Sequence, residues 1–151
     1  MDMQVRHCEA SDLADWIDLR LQLWPGDHAE EFFVEARDIL EQSQRFGAWL
    51  ARDEQGRALG LAEASVRSDY VNGTQGSPVL FLEGIHVRED SRRQGVARAL
   101  VSAVQSWGIA RGCADFASDA ALDNSVSHAL HRALGFVETE RVVYFRKSIH
   151  D

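Results

Sequence analysis

The chain has 151 residues, 45% hydrophobic and 26% charged, a balance that suits one globular domain spanning 1–151 and excludes a disordered or fibrous chain. A formal net charge of −8 repels phosphate backbones, so nucleic acid is not expected as a partner. Apolar stretches are short and interrupted by charge, so no membrane span is expected, and the N-terminus lacks the apolar core of a signal peptide, which reads as cytoplasmic.

Residues 4–8 read as a short strand, after which Ser11 and Asp12 offer caps to a helix. Leu13, Trp16, Ile17, Leu21 and Trp24 recur at helical spacing, and Pro25-Gly26 ends that helix. A second helix fits 29–42, with Phe32, Phe33, Ala36, Ile39 and Leu40 on its inner side. The period then changes. Residues 46–52 and 58–66 flank the turn Asp53-Glu54-Gln55-Gly56 and read as a hairpin. A polar loop over 69–78 leads to Val79–Val87, an almost unbroken apolar run that suggests a central strand covered on both faces. Residues 88–94 form a polar, basic loop. The next helix carries Val96, Leu100, Ala103, Val104 and Trp107 on one face, with Gly112 where a C-terminal cap belongs. A short strand over 113–117, a helix over 124–134 closed by Gly135, and strands over 136–140 and 142–146 complete a mixed α/β order. Cys8 and Cys113 stand far apart outside any CxxC spacing; reduced, buried thiols are expected, with a disulfide left open.

Two places in this pattern carry chemistry. Arg92-Arg93-Gln94-Gly95-Val96-Ala97 follows a buried strand and opens an amphipathic helix. The helix N-terminus presents N–H groups without intrahelical partners, and Gly95 lets a ligand come close to the backbone, which makes an anion cradle suited to a pyrophosphate. The alternative is an ordinary strand-to-helix loop with a solvated basic run. The second place is Glu83, with Gly84 beside it, in the middle of the apolar strand. A buried carboxylate there is expensive. Either it marks the end of the strand or an ion pair with an arginine, or it is functional, with Gly84 opening the strand to a ligand.

Other chemistries lack their motifs. No glycine loop is followed by Gly-Lys-Ser or Gly-Lys-Thr, and no GxGxxG follows the first strand. His128 and His131 are spaced like metal ligands on a helix but have no accompanying cluster, so no metal is expected. Neither cysteine has a basic neighbourhood that would activate a thiolate, which argues against a covalent acyl-enzyme.

The loop resembles the cofactor signature of the GNAT superfamily of N-acetyltransferases: Arg92 stands first, Gly95 fourth and Ala97 sixth. Asn124 followed by Ala129-Leu130-His131-Arg132-Ala133-Leu134-Gly135-Phe136 resembles the family's N…LYxxLGF element. Within that superfamily, Leu23-Trp24-Pro25-Gly26, Asp69-Tyr70-Val71-Asn72-Gly73, Phe81-Leu82-Glu83-Gly84-Ile85, Ala117-Ser118-Asp119 and Glu138-Thr139-Glu140-Arg141 are similar to aminoglycoside 6′-N-acetyltransferases.

This resemblance implies a single N-acetyltransferase domain with a mixed, mostly antiparallel sheet flanked by helices. It implies transfer of an acetyl group from acetyl-CoA to a 6′-amine by direct attack, and an antibiotic-resistance role. Substrate contacts are implied at Trp24, Tyr70, Glu83, Asp119 and Glu140. Acetyl-CoA contacts are implied at Ile85, His86 and Val87, at Arg93, Gln94, Gly95, Val96, Ala97 and Arg98, and at Asn124. Carboxylates and flat apolar surface suit a polycation rich in ammonium and hydroxyl groups. Glu83 is the candidate base. His131 stands where the family usually has a tyrosine assigned to protonate the CoA thiolate, so it is a candidate acid or a packed helix residue. A homodimer is expected, because residues 142–146 alternate in a way suited to edge pairing. Two other readings stay open: an acetyltransferase for another amine (a polyamine, a peptide N-terminus or a small metabolite), or a non-catalytic acyl-CoA-binding module.

Overall fold

The computed structural model describes residues 2–150. In chain order the elements are β1 (Gln4–His7), α1 (Leu13–Leu23), α2 (Ala29–Glu41), β2 (Phe46–Arg52), β3 (Ala58–Arg67), β4 (Val79–Val87), α3 (Val96–Ala110), β5 (Asp115–Ser118) and α4 (Ser125–Ala133). Short helical turns at Ala10–Asp12 and Glu89–Ser91 precede α1 and α3. The strands form one sheet in the order β1-β2-β3-β4-β5, antiparallel up to β4 and parallel between β4 and β5. The mixed, mostly antiparallel sheet is therefore as expected.

Alternation along the strands divides the core into two layers. Trp49, Leu80 and Leu82 face Val96, Leu100, Val104 and Trp107 of α3, joined by Leu59, which a register slip between β2 and β3 turns to this side. Leu50 and Leu61 point the other way, onto Trp16, Ile17 and Leu19 of α1 and Phe32 and Ala36 of α2. Helix α1 also carries a charge into this second layer. Arg20 is 5% exposed and donates from Nε and Nη2 to both oxygens of Glu63 on β3, which also accepts from Trp16 Nε1 at 2.8 Å. Burial opposes the Arg20 charge, but the hydrogen bonds and charges of Glu63 and Glu35 outweigh it and hold the guanidinium above its ordinary value.

The end of the chain departs from the sequence reading. Residues 136–140 and 142–146 form no strands. Phe136 packs edge-on against Phe116 of β5, with ring centroids 4.9 Å apart, but the segment then stands away from that strand and no ladder forms. Alternation along a segment can predict that it is extended, but a strand also needs a neighbour to bond, and β5 has only β4. No helix among the described residues is long and apolar enough to cross a membrane.

Candidate active site

The site begins with an irregularity in β4. Gly84 pairs with Glu63 and Leu82 pairs with Ala64, so Glu83 is an extra residue with no opposite number on β3. Such a bulge bends the strand and re-aims its side chain. On its other side β4 pairs with β5 only through Val79–Leu82, against Asp115–Ser118. Beyond Leu82 the two strands part, and residues 83–87 border a notch without a strand partner there. The bulge thus explains how a carboxylate sits in an apolar run: Glu83 leaves the buried half of the strand for the mouth of the notch.

Glu83 is held in place. Ser65 Oγ donates to its Oε1 at 2.6 Å, and Arg67 Nη2 donates to Oε1 and Oε2 at 2.9 and 3.1 Å. The Arg67 guanidinium also stacks 3.5 Å from the Phe81 ring centroid. The ion pair left open by the sequence is therefore present, at the same place as the opening. Gly84 has a different role from the one expected. A Cβ there would come within 3 Å of Trp24 and Leu23, so the missing side chain admits Trp24 against the strand. Trp24 lies in turn under the Arg20 guanidinium, 5.2 Å from its ring, and next to Phe32.

At the other end of the notch is the loop before α3. Arg93 has φ 64° and Gly95 φ 81°, a pair of left-handed residues that turns the chain onto the first helical turn. No side chain caps α3, and nothing lies within 4 Å of a Cβ built at Gly95, so the first-turn N–H groups at Val96, Ala97 and Arg98 face open space. Arg92 Nε donates to the Val87 carbonyl and ties the loop to β4. The residues fit a pyrophosphate-sized anion. Gln94 lies in this loop, and Ile85, His86 and Val87 line up along the unpaired side of β4. Burial, with Arg92 and Arg88 adding repulsion, pushes His86 below the ordinary imidazole range.

A wide cleft of about 1050 Å³ opens beside β5. It brings together Tyr70, Asp119 and Glu140 from three separate stretches, with Arg67 at its edge. The loop bearing Tyr70 and the tail bearing Glu140 meet because Gly73 lets Thr139 pack directly on its backbone. Glu83 and Trp24 are not among the cleft-lining residues; Arg67, which binds Glu83 and lines the cleft, joins the two groups. Sequence reasoning passed over Arg67, Ser65 and Ser118.

Asn124 sits at the α4 N-terminus, its Oδ1 accepting from Ser127 N–H at 3.0 Å, which leaves its amide N–H groups to other partners. His131 Nδ1 lies 2.7 Å from the Ser127 carbonyl, which can only accept, so Nδ1 carries the hydrogen. In the neutral ring, Nε2 then accepts from Ser118 Oγ at 2.8 Å, at the end of β5 where the notch begins. His128 Nε2 is engaged separately with the Ala121 carbonyl. Cys8 and Cys113 are free thiols, and burial pushes both up, Cys8 strongly.

Comparison with known proteins bears on this arrangement. Residues 13–136 match the model of the acetyltransferase (GNAT) family. An aminoglycoside N(6′)-acetyltransferase type 1 from Acinetobacter genomosp. 13 is 52% identical, covering 97% of this chain and 99% of the relative. The crystal structure of the aminoglycoside 6′-N-acetyltransferase AAC(6′)-Ih from Acinetobacter baumannii superposes with a TM-score of 0.94 at 49% identity, covering 98% and 99% of the two chains. AAC(6′)-Iy in complex with the bisubstrate analogue CoA-S-monomethyl-acetylneamine superposes with a TM-score of 0.93 at 43% identity, with the same coverage.

Proposed function

The chain belongs to the acetyltransferase (GNAT) family, and from that membership we propose that it transfers the acetyl group of acetyl-CoA to the 6′-amine of aminoglycoside antibiotics, conferring resistance in the cytoplasm. The observation that carries the reading is the juxtaposition of a parted β4–β5 notch, an uncapped α3 N-terminus and a cleft that gathers the carboxylates of Asp119 and Glu140 with the ring of Tyr70. These suit a thioester, a pyrophosphate and a polycation respectively.

Arg93, Gln94, Gly95, Val96, Ala97 and Arg98 hold the pyrophosphate on backbone N–H groups, and Asn124 adds a side-chain amide. Ile85, His86 and Val87 run beside the thioester, and a backbone N–H on the side of β4 turned away from β3, that of Ile85 or Val87, polarises its carbonyl as the tetrahedral centre forms. Tyr70, Asp119 and Glu140 bind the drug's hydroxyl and ammonium groups, with Trp24 as apolar surface. A substrate ammonium replaces the Arg67 guanidinium on Glu83, which takes the proton of the attacking amine. The C–N bond forms as the C–S bond breaks, and the departing thiolate takes a proton, for which His131 is the candidate donor. Most of the rate gain comes from holding both substrates in one ternary complex. The active species is a homodimer.

Two results test the cofactor and acceptor halves. Gly95→Pro forces φ to about −65° where 81° is needed and deletes an N–H, so calorimetry should show acetyl-CoA binding weakened by tenfold or more, about 1.4 kcal/mol, in a folded variant. Unchanged affinity would remove the cradle from this loop. In a thiol-release assay, kanamycin should drive acetyl-CoA-dependent CoA release, and drugs bearing a 6′-hydroxyl should not. Release with polyamines or peptide N-termini but not with kanamycin would shift the reading to another amine, and no release with any amine would leave a binding module.

A further inference from the structure

We propose that Arg67 is a gate on Glu83: its guanidinium occupies the carboxylate while the chain waits with acetyl-CoA bound, withholds it from water, and yields it to the acceptor's ammonium. The proposal rests on the acetyl-transfer reading with Glu83 as the base, and adds to it a residue that guards the thioester between turnovers.

Two arginine–glutamate pairs involve β3, and they are built differently. In the pair of Arg20 with Glu63 the side chains are 6% and 3% exposed, and Nε and Nη2 reach the carboxylate as a fork that Trp16 completes. In the pair of Arg67 with Glu83 the side chains are 41% and 35% exposed, and Nη2 alone serves both oxygens. Two nitrogens on two oxygens is the strong form of this contact, whereas an exposed pair held by one nitrogen adds little to stability. The first pair belongs to the core. The second can open.

The donors on Glu83 divide in the same way. Ser65 and Arg67 stand two apart on β3 and so share a face, which is why both reach the carboxylate. Ser65, buried in the sheet, donates to Oε1, while Oε2 accepts from Arg67 and from no other group among the described residues. Lifting Arg67 therefore leaves Glu83 oriented by Ser65 and frees Oε2 for a substrate N–H. Arg67 is also placed to lift. It is the last residue of β3, and its guanidinium lies 3.5 Å from the Phe81 ring centroid, a seat that does not depend on Glu83. Arg67 lines the cleft with Tyr70, Asp119 and Glu140, so an ammonium group bound among them arrives beside the guanidinium it displaces.

The gate matters because of what Glu83 faces when no drug is bound. Residues 85–87, which run beside the thioester, follow it directly on β4. A carboxylate open at that place takes a proton from water as it would from an amine. The water oxygen then bonds to the acetyl carbon, the C–S bond breaks and the thiolate takes a proton, giving acetate, a proton and CoA. With Nη2 on both carboxylate oxygens, this loss is held back. Occupancy is an equilibrium, so a base that is open for a fraction of the time lowers idle hydrolysis by that fraction and raises the apparent KM for the acceptor by its inverse. One equilibrium sets both.

Arg67→Met tests this, because the unbranched stem keeps its contact with Phe81 and loses the charge and the donors. With the full chain, acetyl-CoA and no amine, the rate of CoA release should rise roughly fivefold, the upper end for a pair this exposed, and the KM for kanamycin should fall by the same factor. Arg67→Lys, which keeps a cation on a similar stem, should restore both values. Adding Glu83→Gln to Arg67→Met should abolish the gain in hydrolysis. A change in only one of the two quantities would overturn the gate; a lower KM alone would make Arg67 a charge that merely repels the drug. A higher KM would overturn it and make Arg67 a drug contact. No change in either quantity, or a hydrolysis gain that survives Glu83→Gln or Arg67→Lys, would also overturn it. Each of these results leaves acetyl transfer standing if the parent chain acetylates kanamycin. A parent chain that acetylates no amine would overturn the transfer reading and the gate with it.

Discussion

Glu83→Gln is expected to lower kcat for kanamycin by about 10²- to 10⁴-fold, the range for loss of a positioned general base. The substitution keeps the shape of the side chain and its hydrogen bond from Ser65, so the bulge should persist, while the charge that draws an ammonium is lost. Asp119→Asn provides the contrast. Asp119 lies exposed past the end of β5, with no role assigned beyond holding the drug, so its loss should mainly raise KM, by a charge-assisted hydrogen bond of roughly 1.5–3 kcal/mol. Acetyl-CoA affinity should change little in either variant. Steady-state kinetics with kanamycin, together with acetyl-CoA calorimetry, separates the two roles; wild-type kcat and KM in both variants would place the acceptor pocket elsewhere.

Glu63→Ala is expected to destabilise the fold by about 3 kcal/mol, the lower end of the cost of breaking a buried pair, because it leaves the 5% exposed Arg20 guanidinium with only the Glu35 carboxylate as partner. For a chain of this size that corresponds to a fall in Tm of roughly 6–12 °C. Trp16 Nε1 loses its acceptor as well. Replacing both charges with apolar residues of similar size (Glu63→Leu with Arg20→Met) should recover most of the loss, since the cost comes from the unpaired charge rather than from the absent pair. Calorimetric melts of the single and double variants check this; a single variant within about 0.5 kcal/mol of the parent would contradict it. The pair also reaches the site. Arg20 lies over the ring of Trp24, which packs on Gly84 next to Glu83, so a loosened Arg20 should also raise KM for the drug in whatever fraction stays folded.

How much of this could be read from the residues follows from which interactions are local. Val79–Val87 is found with its expected bounds because an apolar run flanked by a turn loop and a basic loop needs no partner to be recognised. Helix α3 and the turn at Gly95 were legible for the same reason. The bulge at Glu83 was not, because it exists only in the pairing of Glu63 and Ala64 with Gly84 and Leu82. Arg67, Ser65 and Ser118 escaped notice because nothing in a single strand's pattern says which polar side chain will meet which across the sheet. Tyr70, Asp119 and Glu140 came from family likeness; local physics reads them as a loop aromatic and two solvated carboxylates, and only the fold brings them to one cleft. The tail was misread in an informative way. Its alternation is real, but among the described residues no strand pairs with it.

The acceptor position is the central claim, and the structure of the product tests it most directly. The purified chain is incubated with acetyl-CoA and kanamycin, and the product is isolated for mass spectrometry and two-dimensional NMR. A single added acetyl group should be found, on the 6′-nitrogen, with the other amines unmodified. An acetyl group on any other amine, or no acetylated product while acetyl-CoA still binds, would contradict the account.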